Sequence, residues 1–250
     1  MPPVAAQEAE TIVATYVLVH GGGHGGWCWG RVARLLRAAG HEVFTPTLTG
    51  LGERSHLVSA ATNLDTHIDD VVNVLQYEDI TDAILVGHSY AGMVITGVAD
   101  RALARVGHLV FLEACRPRNG ESLYDTGPDV IDWARSSGRT VDGVELVLWP
   151  SEGVVEAFGI RAPEDAAWAL ERLTPHPWKT MEQALRMVNE DAVRRIPFTN
   201  INAPGMVMDG RTPESRRRAL EGDRVWEIDA GHDLMLTAPK ETAELLLRLV

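Results

Sequence analysis

A serine set among small residues, a run of glycines and one late histidine are the features of this chain whose types and spacing can do chemistry together. The serine lies in Gly87-His88-Ser89-Tyr90-Ala91-Gly92, between the wholly apolar run Ala83 to Val86 and a helical pattern that begins near Tyr90. In that context a G-x-S-x-G signal marks a sharp strand-to-helix turn that holds the serine in a strained conformation with its hydroxyl projecting. Ala91 stands where the strict pattern has glycine, a departure of one methyl group. The plain alternative is that Ser89 only caps the helix, since serine is a favoured N-cap residue.

A serine hydroxyl at its ordinary pKa is a poor nucleophile. An imidazole must take its proton, a carboxylate must orient that imidazole, and N–H donors must meet the oxygen that becomes negative. The run His20-Gly21-Gly22-Gly23-His24-Gly25-Gly26-Trp27 can supply one donor from the backbone of Gly22, paired with the N–H of Tyr90. A nucleotide-binding reading of these glycines fails because Trp27 and the histidines interrupt any G-x-G-x-x-G and no G-K-[ST] follows.

Where a strand-turn-helix carries the nucleophile, chain order runs serine, acid, histidine. His232 lies in a glycine-containing loop before the last helix, and position selects it as the general base. Asp209 ends the apolar run Gly205 to Met208 and is the orienting acid. Glu214, Glu221, Asp223 and Asp233 compete for that role, most of them expected in solvent. His88 is expected to pack beside the turn, and His24 either touches substrate or bonds backbone. No H-E-x-x-H or clustered ligand spacing suggests a metal, and none is expected.

These residues need a scaffold, and strand and helix patterns alternate through the first half in the manner of a mostly parallel sheet covered by helices, an α/β fold. Strands are expected at Val13 to Val19, His41 to Thr45, Ala83 to Val86, His108 to Leu112, Pro204 to Met208 and Arg224 to Ile228. Helices are expected after the glycine loop and behind Asp65 and Thr66, which offer N-caps; others follow at Tyr90 to Arg101 and Pro239 to Val250. Between residues 116 and 197 the strand rhythm is lost, while Trp133, Trp149, Trp168 and Trp178 gather among prolines. This predicts a helical cap at 116–197 inserted into a core of residues 1–115 and 198–250. His24, Trp133 and Trp178 are the candidate substrate contacts.

Composition limits the partners. The net charge of −12 opposes binding to nucleic acid or anionic membrane surfaces, and no run of about 18 apolar residues suggests a membrane span. Two cysteines are too few for a disulfide framework and favour a cytoplasmic setting. A homodimer is left open.

Several stretches resemble a branch of the α/β-hydrolases: the plant methylesterase and hydroxynitrile lyase group with its bacterial esterase relatives, among them pyrethroid and carbendazim hydrolases. The similarity is carried by Tyr16 to His41, with Val17-Leu18-Val19-His20-Gly21 and Trp27, by Thr45 to His56, by Leu64-Asp65-Thr66-His67-Ile68 and by the serine turn. It resumes at Asp209 and at Gly231-His232-Asp233, and covers about half the chain well. The resemblance implies the roles already assigned to Ser89, Asp209, His232, Gly22 and Tyr90, with no cofactor. Lyase members carry lysine after the catalytic histidine and a hydroxyl residue after the strand-end histidine. Asp233 and Gly21 stand here, which disfavours that chemistry.

The expected activity is hydrolysis of a small hydrophobic or aromatic carboxylic ester through an acyl-serine intermediate. Carbamate, amide or lactone hydrolysis with the same triad, a lyase or cyclase, and a non-catalytic ligand-binding protein are the alternatives.

Overall fold

The computed structural model describes residues 13–204 and 210–250. Six parallel strands form the central sheet: β1 (Thr15–Val19), β2 (Glu42–Phe44), β3 (Ala83–His88), β4 (Val106–Leu112), β8 (Phe198–Asn202) and β9 (Arg224–Glu227), in the order β2-β1-β3-β4-β8-β9. A second, antiparallel sheet of three short strands comprises β5 (Arg139–Val141), β6 (Val144–Val147) and β7 (His176–Pro177). The fold is α/β, as its residue patterns imply.

β1 and β3 read as near-continuous apolar runs because both faces are covered, and Tyr16 to Val19 and Ala83 to His88 are buried along their lengths. Helix α1 (Gly30–Ala38) turns Val32, Ala33 and Leu36 inward, and α2 (Leu64–Tyr77) turns in Leu64, Ile68, Val71 and Leu75. Helix α3 (Ala91–Arg101), which follows the serine, is buried from Ala91 to Asp100. Each such Leu, Ile or Val contributes about 1.5–3 kcal/mol by leaving water. The scaffold under the serine turn is therefore the most deeply packed part of the molecule.

Two expectations need correction. The cap of α2 is Asn63, whose side chain accepts from the Thr66 N–H while the Thr66 hydroxyl accepts from the Asn63 N–H; the sequence reading stopped two residues late because Asp65 and Thr66 are also good cap types. An unexpected strand runs over Phe198–Asn202; of the strand expected at Pro204 to Met208, Pro204 sits in a turn and the other residues fall outside the described ones. Gly205 to Asp209 fall outside the described residues, so the structure does not place the expected acid, Asp209. The stretch between β4 and β8 holds short helices, including Pro128–Ser136, Glu152–Ala157 and Pro163–Leu170, but also the three-stranded sheet, whose strands of two to four residues are too short to show a pattern.

Parallel register sets where the strands end. Val19 lies opposite Gly87, His88 opposite Leu112, and Leu112 opposite Ile201. The loops after β1, β3, β4 and β8 therefore leave the sheet side by side. β2 and β3 flank β1 on opposite sides, which makes the β1/β3 edge a point where chain order reverses, the usual position of a site in an open parallel sheet.

Candidate active site

Ser89 leaves β3 with a φ of 55°, a left-handed conformation that non-glycine residues adopt at a cost in strain. Backbone bonds to the end of β4 hold it there. The Ser89 N–H donates to the Leu112 carbonyl at 3.2 Å, and the Ser89 carbonyl accepts from the N–H groups of Gly92 at 3.1 Å and Cys115 at 3.4 Å. Gly92 is obligatory, because a Cβ on it would stand 1.8 Å from the Cys115 carbonyl oxygen. Tyr90 is the residue at the N-cap of α3, and no side-chain hydrogen bond caps that helix, so Ser89 is not spent as a cap.

The glycine loop lies against this turn as the β1/β3 register requires. A Cβ on Gly21 would stand 2.9 Å from the Ser89 Cβ and 2.8 Å from the His88 Nδ1, so the two chains touch only because residue 21 has no side chain. The lyase-type hydroxyl residue has no room there. The loop is braced from outside: the Thr47 hydroxyl accepts from the Gly26 N–H at 2.7 Å, and the His176 Nδ1 accepts from the Gly23 N–H at 3.2 Å.

His232 is half-buried in the loop between β9 and the short helix Leu234–Thr237. Its carbonyl accepts from the His88 Nε2–H at 3.0 Å, and its ring stacks obliquely on His88, with centroids 4.7 Å apart. Burial, followed by the positive neighbours His24 and Arg211, pushes its pKa down to about 3. His88 is buried, and burial lowers its pKa to about 3 as well, so it is a neutral prop that carries the His232 backbone.

Ser89, Gly22, Tyr90 and His232 all open onto one cavity of about 130 Å³. Ser89 and His232 line it together. His24 and Trp133 line it, as expected. Trp178 does not: it is buried beneath the Arg135 guanidinium at 4.2 Å, with its N–H donated to Glu182 at 2.5 Å. A count of tryptophans has no means of separating one that faces a cavity from one that fills a core.

The sequence reading missed several lining residues. Glu113, buried at a φ of 44°, forms an ion pair with Arg211 at 3.2 Å, and both face the cavity. Glu113 immediately follows β4, and its place at a strand end was a usable signal. Phe158 and Met181 also line the cavity, from the stretch after β4, and carry no such signal. Asp233, one of four competing carboxylates most of which are expected in solvent, is fully buried against His24.

A model of the alpha/beta hydrolase family matches residues 16–245. The chain belongs to the α/β-hydrolase family. It is 36% identical over 250 residues to a carbendazim hydrolyzing esterase of Nocardioides sp. (strain SG-4G), a match covering 95% of this chain and all of that protein. Among solved α/β-hydrolases, an extracellular enzyme from a Paenibacillus species superposes with a TM-score of 0.76 at 22% identity, covering 94% of this chain and 98% of that one. Polyneuridine aldehyde esterase superposes with a TM-score of 0.77 at 19% identity, covering 95% and 99%. These two likenesses concern the fold. Within it, the strained serine after β3 and the glycine loop after β1 stand where an α/β-hydrolase needs its nucleophile and its backbone donors.

Proposed function

We propose that this chain hydrolyses small apolar or aromatic carboxylic esters through an acyl-serine intermediate, with Ser89 as nucleophile, His232 as general base, Asp209 as the acid that orients it, and the N–H groups of Gly22 and Tyr90 as oxyanion donors. Its full-length match to an esterase makes ester hydrolysis the activity of the chain. The observation that carries the residue assignment is the meeting of Ser89, at positive φ, with Gly22, Tyr90 and His232 around one cavity.

In the first half-reaction Ser89 attacks the carbonyl carbon while His232 takes its proton. The tetrahedral oxyanion collapses, and His232 returns that proton to the departing alcohol. Water then attacks the acyl-serine with His232 again as base, releasing the acid and restoring the hydroxyl.

Leu123, Val130, Ile131, Trp133, Leu148 and Phe158 supply an apolar wall, which suits an uncharged acyl or alcohol group of modest size. A second reading, a carbamate as substrate, is favoured by the similarity to the carbendazim hydrolyzing esterase and uses the same residues. Side-by-side turnover of p-nitrophenyl acetate, p-nitrophenyl butyrate and an aryl methyl carbamate, for wild type and Ser89→Ala, tests both. Ester turnover lost in the variant is the expected result, and ester turnover that survives refutes the assignment. The relative rates on ester and carbamate choose between substrates.

A further inference from the structure

Three histidines hold the glycine loop, and their partners fix where the protons sit. His20 Nε2 accepts from the Leu48 N–H at 3.0 Å, so its proton is on Nδ1 and is donated to the Gly21 carbonyl at 2.9 Å. His176 Nδ1 accepts from the Gly23 N–H at 3.2 Å, so its Nε2–H is donated to the Thr180 hydroxyl at 2.7 Å. Each ring has one donating and one accepting nitrogen and is neutral.

His24 differs. Its Nδ1 faces the Gly22 carbonyl at 2.7 Å and its Nε2 faces the Asp233 carboxylate at 2.9 Å. With Asp233 as a carboxylate both partners are acceptors, and both ring nitrogens then carry protons, which makes the ring an imidazolium. A buried cation persists only when paired, and Asp233, itself fully buried, is the counter-charge.

We infer that His24, charged and clamped by Asp233, is a positioning residue: its Nδ1–H holds the Gly22 carbonyl, and so fixes the Gly22–Gly23 peptide directly beyond the Gly22 N–H that the loop presents at Ser89. The inference rests on the acyl-serine reading above. The groups facing His24 are Asp233 from the loop after β9, His88 from the end of β3 with ring centroids 5.9 Å away, and the His20, His176 and His232 rings, which feel its charge. The Trp27 and Phe158 rings, at 5.4 and 5.0 Å, enclose it in apolar surface. The Asp233 carboxylate also lies within 4.8 Å of ring nitrogens of His88 and His232. The raised pKa of His24 beside Asp233 agrees with the hydrogen-bond geometry.

The first test is 15N NMR of the imidazole nitrogens in the intact wild-type protein at about pH 7.5. Two protonated nitrogens on His24 are expected, and a neutral tautomer overturns the inference whatever the activity. The second is kcat and KM for the double variant His24→Gln/Asp233→Asn, which removes both charges together. kcat should fall roughly tenfold or more with KM within about threefold, because the lost contact serves the transition state. A folded double variant whose kcat matches wild type contradicts the inference; if the variant does not fold, the NMR result decides. Turnover retained by Ser89→Ala would instead sink the acyl-serine reading and leave the protonation of His24 as measured.

Discussion

The cavity has a floor and a roof built on different principles. The floor is the row of strand ends, where Ser89, Gly21, Gly22 and Cys115 are placed by sheet register and by backbone hydrogen bonds. The roof is the stretch after β4, where Val130, Ile131, Trp133, Leu148 and Phe158 meet the cavity through apolar side chains from short helices and strands. Floor positions tolerate almost no added atom, as the Cβ clashes at Gly21 and Gly92 show. Roof side chains meet the cavity through apolar packing, and packing tolerates volume-conserving exchange. The proposed chemistry accordingly falls to the floor, and substrate selection to the roof.

The sharpest way to break this contrast is Ser89→Ala. The floor account predicts that ester turnover falls by roughly four to six orders of magnitude with the fold intact, because nucleophile and base act as a unit. A loss of tenfold or less, measured by p-nitrophenol release, would remove the floor from the chemistry. Gly21→Val carries the next effect. Its side chain must push the glycine loop away from Ser89, so kcat should fall by about a hundredfold or more through lost oxyanion stabilisation, while circular dichroism still reports the α/β fold.

Acid should undo the whole frame. His20, His67 and His88 are buried neutral with pKa values lowered to about 3, 4 and 3, and His176 lies well below its ordinary value; burial is the largest cause in each. Their folded values lie below the unfolded value of about 6.5, so their contribution to stability is complete above that pH and is lost as pH falls toward 3–4. His24, with its raised pKa, acts in the opposite sense and weakens only as pH rises through its folded value. Denaturant midpoints should therefore fall steeply from about pH 6 to pH 4, and a flat profile over that range would mean that these rings are not buried neutral.

A roof change should act on substrate choice. Trp133→Ala is expected to raise KM for an aryl ester by about 5- to 50-fold while leaving kcat for p-nitrophenyl acetate within about threefold, since it removes binding shared by ground and transition states. A large fall in acetate kcat would move Trp133 from the roof into the reaction. The smallest effect is remote from both regions. Asn63→Ala removes the cap of α2 and should cost about 1 kcal/mol of stability without altering turnover, measured by urea denaturation and the ester assay.

The same division explains what could be read from the residues alone. Floor features are local: a serine between small residues after an apolar strand, or glycines after another strand, reveals a turn from a few neighbours, and the structure brings Ser89, Gly22, Tyr90 and His232 together. The roof depends on contacts between distant segments. Nothing near Trp178 or Trp133 in the chain says that one stacks on Arg135 and the other reaches the cavity. Nothing near Asp233 in the chain marks it as buried, because its partner, His24, lies 209 positions earlier. Phe158 gains its place through a close backbone approach, with Gly159 packed on Gly231 so tightly that a Cβ on Gly159 would stand 2.5 Å from the Gly231 Cα. No periodicity encodes that meeting.

The central claim is that the Ser89 oxygen carries the acyl group during turnover. The direct measurement is rapid acid quench of the wild-type enzyme in its first turnovers of p-nitrophenyl butyrate, followed by peptide mass mapping. The account predicts a butyryl group on Ser89 at up to one equivalent, formed with the first equivalent of p-nitrophenol. An unmodified Ser89 under the same conditions, with the acyl group on another side chain such as Cys115 or His232, would contradict it.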